Sequence, residues 1–335
     1  MNRRNEILVV VLVLQVVLMV LLTTLRAPAA APSGKPLFDS VKTADVTQLT
    51  VTDNAGKSIE LTKKGSDWVM SNADDFPADA VKITTFLDKL LKVQSGRLIA
   101  RTDTSYARLQ VADTNFVQRV SFQSGTGAVH NLLIGTSPTG SSAHVRADGQ
   151  PEVYLTDSIN SQDASTNATS WINTAYQTVA QDKVQRVALS NANGAFEFVK
   201  DANGVWTMSG LKAGQTFDPA KFTDLLPRVS TISLLQPLGK TSKPEYGLES
   251  PSAAITLTLQ QDASSAKPVV VRLGVKDAAA NTYTMSSSES PYIVLVGSFN
   301  YDDFVIRKLL DFLKPLPTPA AGVSGPFSAT PTPAK

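Results

Sequence analysis

Gln48-Leu49-Thr50-Val51-Thr52, Asp53-Asn54-Ala55-Gly56, Ser58-Ile59-Glu60-Leu61-Thr62 and then Trp68-Val69-Met70 make the stretch that decides this fold. Apolar and polar residues alternate on both sides of a short Asp/Asn/Gly turn, which is the pattern of a hairpin with one buried face. A second turn, Lys63 to Asp67, leads into a third strand that opens on tryptophan. After it, Ile83, Phe86, Leu87, Leu90 and Leu91 fall at i, i+3, i+4, i+7 and i+8. That is one apolar stripe of a helix of about four turns. Asp79 is placed to cap its start and Gly96 its end.

The same succession returns. Val184 to Val199 repeats the hairpin, Trp206-Thr207-Met208 repeats the third strand, and Asp218 to Ile232 repeats the helical segment. Tyr106 with Leu109 and then Gly135 come after the first helix; Tyr246 with Leu248 and then Gly274 come after the second. The tryptophans are 138 residues apart, the tyrosines 140 and the glycines 139. A period this regular is the signature of an internal duplication. The stripe of the second helix, Phe222, Leu225, Leu226 and Val229, contains Pro227, so that helix is expected to bend or to be short.

The expected fold class is therefore α+β. Two similar tandem domains, 45–180 and 181–313, would each carry a mostly antiparallel sheet with one long helix packed on a face. Further strands are read at Phe116–Phe122, Val129–Ile134, Ala143–Arg146 and Glu152–Leu155, with counterparts at Ala254–Leu259, Val269–Leu273, Thr282–Met285 and Tyr292–Val296. Trp171 to Val179 reads as a short linking helix and Asp303 to Leu313 as a last one.

Outside the repeats the composition changes. Residues 7–25 contain no charge, and nineteen helical residues span about 28 Å, close to a bilayer's hydrocarbon thickness. Arg3 and Arg4 precede the run, which places residues 1–6 in the cytoplasm and the bulk of the chain outside it. An N-terminal transmembrane helix acting as a signal anchor is expected, with a cleaved signal peptide ending near Ala29-Ala30-Ala31 as the competing reading. Residues 26–44 read as a linker, and 314–335 as a disordered Pro/Ala-rich tail.

The chain has 335 residues and 42% hydrophobic residues, enough for two cores, and no cysteine. Disulfides, thiolate nucleophiles and cysteine metal sites are thereby excluded. A net charge of +2, from 31 basic and 29 acidic residues, gives no basis for nucleic-acid binding.

The ordered set strand–strand–Trp–strand, helix, Tyr-x-(x)-Leu, apolar strand ending in Ile-Gly or Leu-Gly resembles a known family, domain of unknown function 4340. The residues that carry the resemblance are Trp68, Tyr106, Leu109, Ile134, Gly135 and Tyr154, then Trp206, Tyr246, Gly247, Leu248, Pro251, Leu273 and Gly274. The first repeat departs from the pattern, with Tyr106-Ala107-Arg108-Leu109 where the second has Tyr246-Gly247-Leu248. The resemblance implies a bacterial protein with a single membrane span, encoded beside ABC-transporter components. It brings no activity and no catalytic residue.

The residues themselves offer little chemistry. His130 and His144 lie in expected strands and read as structural. Asp74, Asp75 and Asp79 precede a helix and lack the alternation and glycine of a calcium loop. Ser264-Ser265-Ala266-Lys267 has the Ser-x-x-Lys spacing without the companion motifs of a penicillin-recognising enzyme. Gly239-Lys240-Thr241 lacks the upstream glycine of a phosphate loop, and Gly125-Thr126-Gly127 is a turn. Arg97, Arg101, Arg108 and Arg119 form the densest basic group and read as a solvated face. Asn167-Ala168-Thr169 has the form of a glycosylation sequon. No catalytic, cofactor-binding or metal residue is expected. The expected role is a membrane-anchored, extracytoplasmic, non-catalytic scaffold or accessory subunit of a membrane complex such as an ABC-type exporter. The alternative is an envelope glycan- or lipid-binding module using a groove between the domains.

Overall fold

The structure is a computed structural model that describes residues 12–17, 19, 34–260 and 268–315. The chain divides into two compact units. The first runs to Thr174 and also takes in Leu234–Thr241; the second holds Ala175–Ser233 and the residues from Ser242 onward.

In the first unit β1 (Val46–Asp53), β2 (Ser58–Lys64) and β3 (Asp67–Met70) form the expected three-stranded meander, and β4 (Phe76–Pro77) extends it by one strand. β5 (Leu98–Ala100) is short, and β6 (Val111–Ala112) pairs with β7 (Asn115–Phe116) in a small ribbon. β8 (Gln118–Ser124), β9 (Val129–Ile134), β10 (Ala143–Ala147) and β11 (Val153–Thr156) complete an antiparallel sheet of order β4-β3-β2-β1-β8-β9-β10-β11-β5. Its register matches the sequence alternation: Leu49 lies opposite Leu61 and Phe122, and Val51 opposite Ile59 and Val120, all buried. Period-2 alternation and one buried face are the same fact seen along the chain and across it. Trp68 and Met70 extend that buried face onto β3.

The second unit repeats the connectivity. β12 (Ala175–Thr178) pairs with β16 (Thr231–Ser233). β13 (Val184–Asn191), β14 (Gly194–Lys200), β15 (Trp206–Met208), β18 (Ala253–Leu259), β19 (Val269–Asp277), β20 (Thr282–Ser287) and β21 (Ser290–Gly297) follow the order β15-β14-β13-β18-β19-β20-β21. That order corresponds strand for strand to β3-β2-β1-β8-β9-β10-β11. β17 (Gln236–Gly239) lies in the segment that clusters with the first unit.

The expectation of one long helix packed across a sheet face in each domain is overturned. The architecture is dominated by antiparallel strands, and no long helix occurs among the described residues. α1 (Ala80–Leu91) has three turns and ends at Leu91, well before Gly96. The side chain of Asp79 caps it, accepting from the N–H groups of Val81 and Lys82. Its stripe of Ile83, Phe86, Leu87 and Leu90 is buried, with Phe86 edge-to-face against Trp171 at 5.0 Å. A further short helix, α2 (Asp103–Leu109), was not legible as one. In the second unit the helical segment breaks into α3 (Pro219–Thr223) and α4 (Leu226–Ser230). Pro227 has no N–H to donate and its ring crowds the carbonyl four residues back, that of Thr223, where α3 stops. Phe222 on the surviving turn stacks on Phe198 at 4.1 Å and meets Trp206 at 4.8 Å.

The linking segment is also corrected. Trp171 to Val179 is not a helix: a 3-10 turn over Ala168–Ser170 precedes strand β12. The Tyr176 hydroxyl donates to Tyr292 O at 2.6 Å and Gln177 Nε2 to Val229 O at 2.9 Å, so these polar groups are satisfied as a strand. The last helix shrinks to α5 (Asp302–Ile306) followed by a 3-10 turn over Leu309–Phe312. Phe312 is fully buried there, against Phe196 and Phe198.

An N-terminal transmembrane helix is no part of the described fold. No helix among the described residues is long and apolar enough to cross a membrane. Of the expected span 7–25 only residues 12–17 and 19 are described, as helical, and the remainder lies outside the described residues. So do 26–33 of the linker and 316–335 of the tail. Beyond them, the chain is already engaged at Phe38, which is buried edge-to-face on Phe122 at 5.0 Å.

Candidate functional site

The residues singled out by the repeat resolve into packing. Trp68 and Trp206 are buried in their respective units. Gly135 and Gly274 each sit where a backbone carbonyl comes too close for any side chain. Gln110, in left-handed conformation with φ of 54°, ends α2 and turns the Leu109 carbonyl onto Gly135. That oxygen accepts from Thr136 N at 2.9 Å. In the second unit a 3-10 turn, Pro244–Tyr246, does the same with one residue: the Tyr246 carbonyl faces Gly274 and accepts from Thr284 Oγ1 at 2.6 Å. A Cβ at either glycine would occupy the carbonyl's place.

Beside the first of these junctions lies the residue that sequence reasoning missed. Arg146, on β10, is only 6% exposed. Its Nε donates to Val111 O at 2.7 Å, Nη1 to Gln150 O at 3.3 Å and Nη2 to a carboxylate oxygen of Asp113. The guanidinium lies over the Tyr106 ring at 4.7 Å from its centroid, and the Tyr106 hydroxyl donates to Pro151 O at 2.7 Å. Leu109, Val111, Leu133 and Val153 pack beneath. A buried cation is tolerated because its donors are directed at oxygens and its flat face at a ring. The register position of Arg146, opposite Leu133, is filled in the second unit by Ser286, opposite Arg272. No local pattern marks Arg146, since its two closest partners, Asp113 and Val111, lie 33 and 35 residues away.

The two histidines have separate surroundings. His144 is buried, with Nδ1 2.9 Å from the Thr136 carbonyl, which fixes the proton on that nitrogen when the imidazole is neutral. His130 stacks on Phe122 at 5.1 Å and meets Phe38 edge-on at 5.7 Å. It borders a cleft of about 310 Å³ with Asn131, Asp148 and Gln150. Asn131 donates to Asp148 at 3.1 Å and accepts from Ser121 at 2.5 Å.

The remaining candidates disperse. Asp79 is the helix cap, Asp75 pairs with Lys64 at 2.5 Å, and Asp74 accepts from Lys240 N at 2.7 Å. The Gly239-Lys240-Thr241 turn is thus held by a carboxylate, the opposite of what a phosphate loop requires. Arg97 pairs with Asp157, Arg101 with Glu152, and Arg119 donates to Asp113 O, while Arg108 is exposed on α2. Asn167 is exposed and accepts from Lys57 at 3.2 Å. Ser264 to Lys267 lie outside the described residues. Among the described residues there is no cluster of three or more His, Asp or Glu side chains that could hold a metal.

The most perturbed titrations lie in the second unit. Burial pushes the Tyr176 and Tyr301 hydroxyls up to about 12. Burial, then hydrogen bonding to Asp302, does the same for Tyr283. Asp302 is held below its ordinary value, first by Lys276, whose ammonium lies 2.7 Å away, and also by Tyr283 at 2.9 Å. These groups tie α5 to β19 and β20.

No curated protein and no solved structure matches the chain. A family described as Domain of unknown function (DUF4340) matches residues 68–251, more than half of it. The match begins at the buried Trp68 and spans the Tyr106–Gly135 junction, the Arg146 latch and the Tyr246 turn. This chain belongs to the DUF4340 family.

Proposed function

We propose that the protein is a non-catalytic scaffold or accessory subunit of a membrane complex. Its apolar N-terminal sequence sits at the membrane and its two units lie outside the cytoplasm. The observation that carries this reading is the use made of Arg146: a guanidinium, a carboxylate and a phenol converge, and their polar atoms are directed at backbone carbonyls and at one another. The Tyr283–Asp302–Lys276 and Tyr176–Gln177–Ser287 groups of the second unit are likewise engaged in joining strands and helix ends. Polar side chains engaged this way stiffen the corners they hold, as a docking platform requires. The uncharged run 7–25 supports the membrane placement. An ABC-type exporter is the complex to which the family resemblance directs the search.

The test is co-purification. The full chain, tagged at its C-terminus, is extracted in mild detergent after in-cell crosslinking. Recovery of transporter membrane or ATPase subunits in stable ratio supports the reading. Recovery of the chain alone, or of the chain in the soluble fraction, overturns it.

A further inference from the structure

β5 is the last strand of the first unit's sheet. It pairs on one side with β11, through Val153 opposite Ala100 and Tyr154 opposite Leu98, and among the described residues no strand of that sheet follows it on the other. Leu98 and Ile99 are each 45% exposed. A bare apolar edge is a template for another strand, and chains blunt such edges with proline or charge. This chain does so elsewhere. β4, at the opposite end of the same sheet, carries Pro77. β17, which stands about 138 residues after β5 in the repeat, carries Pro237. β5 has neither proline nor charge within it.

Its flanks are charged. Arg97 and Arg101 lie two residues either side of Ile99. Antiparallel pairing of two copies of this strand about Ile99 would set Arg97 of each against Arg101 of the other, and like charges directly opposite are destabilising. The edge therefore disfavours its own copy and favours carboxylates. Both arginines hold carboxylates already, Arg97 on Asp157 and Arg101 on Glu152, each at 3.2 Å. The arginines are about half exposed, and such pairs exchange partners at little cost. A cavity of about 380 Å³ at the Arg97 end, bordered by Lys92, Gln94 and Leu155, has room for an anchoring side chain.

We propose that the open edge of β5 takes up an extended acidic segment of a partner protein as an added strand, with carboxylates meeting Arg97 and Arg101 and an apolar residue covering Ile99. This rests on the scaffold reading and names the chemistry of its partner. The test uses fluorescence anisotropy on the full chain in detergent. One probe is a labelled nine-residue peptide alternating valine with glutamate; its counterpart alternates valine with lysine. The glutamate peptide should bind saturably and slow amide exchange at Leu98–Ala100. A Leu98→Glu/Ile99→Glu variant, altered only at exposed positions, should keep its melting temperature and lose about tenfold or more in affinity. An Arg97→Glu/Arg101→Glu variant should prefer the lysine peptide. Equal binding of both peptides, binding indifferent to these substitutions, or no binding at millimolar peptide overturns the proposal. If peptides fail while transporter subunits still co-purify, the edge inference falls and the scaffold reading stands. If peptides bind and co-purification fails, the reverse holds.

Discussion

The Tyr246 carbonyl oxygen occupies the space that a Cβ on Gly274 would need, and the Leu109 carbonyl does the same at Gly135. The obstructing atoms are backbone, so they cannot swing aside as a side chain would. Gly274→Ala and Gly135→Ala should each destabilise their unit at the upper end of the roughly 1–3 kcal/mol typical of overpacking. Gly140, with nothing near its virtual Cβ, is the control and should change by less than about 0.5 kcal/mol. Denaturant unfolding of the three variants measures this directly.

Trp68 is 4% exposed on β3. Trp68→Ala removes a large buried aromatic and should cost about 3–5 kcal/mol. An unchanged melting temperature would contradict the core assignment.

Arg146 and Asp113 form an asymmetric pair, 7% and 65% exposed at their side chains. The arginine's hydrogen bonds to carbonyls are sheltered, while the aspartate is largely solvated. Arg146→Lys loses the fork that reaches Val111 O and Gln150 O together, and should cost about 1.5–3 kcal/mol. Asp113→Asn should cost under about 1 kcal/mol. If urea unfolding ranks them in the opposite order, the guanidinium is not what holds this corner.

Three tyrosines of the second unit, Tyr176, Tyr283 and Tyr301, are raised from 10.0 to about 12. A group whose pKa is higher folded than unfolded contributes stability below its unfolded value and loses it as pH climbs through the folded one. The second unit should therefore lose stability between about pH 10 and 12, with tyrosinate absorbance appearing late and together with unfolding. Asp302 has the reverse sign: its lowered pKa contributes stability at neutral pH that is lost as pH falls below 3.8 toward the folded value. Tyr283→Phe should weaken the acid effect, because it removes one of the bonds that hold Asp302 ionised.

What the sequence disclosed was local. The β1–β3 meander was legible because alternation and turn residues fall within a few positions of each other. Asp79 was legible as a cap because it sits directly before its helix and accepts from N–H groups two and three residues on. The break near Pro227 announced itself for the same reason. The short α2 and the Arg146 corner did not, because what fixes them is the arrival of β9 and β10 from elsewhere in the chain. Trp171 to Val179 misled for a related reason: its spacing suits a helix, yet β16 supplies a strand partner more than fifty residues away. The length of each helix was overestimated because an apolar stripe records which residues are buried, and loops and short turns bury residues as well.

The segment Leu234–Thr241 belongs with the first unit although it is encoded after most of the second unit's first meander. The Asp74 carboxylate, at the end of β3's turn, waits for the Lys240 amide. During synthesis the first unit consequently stays unfinished until residues 175–233 of its neighbour have left the ribosome. A protease cut anywhere between 175 and 233 therefore severs this last piece from the stretch of polypeptide that holds the rest of the first unit.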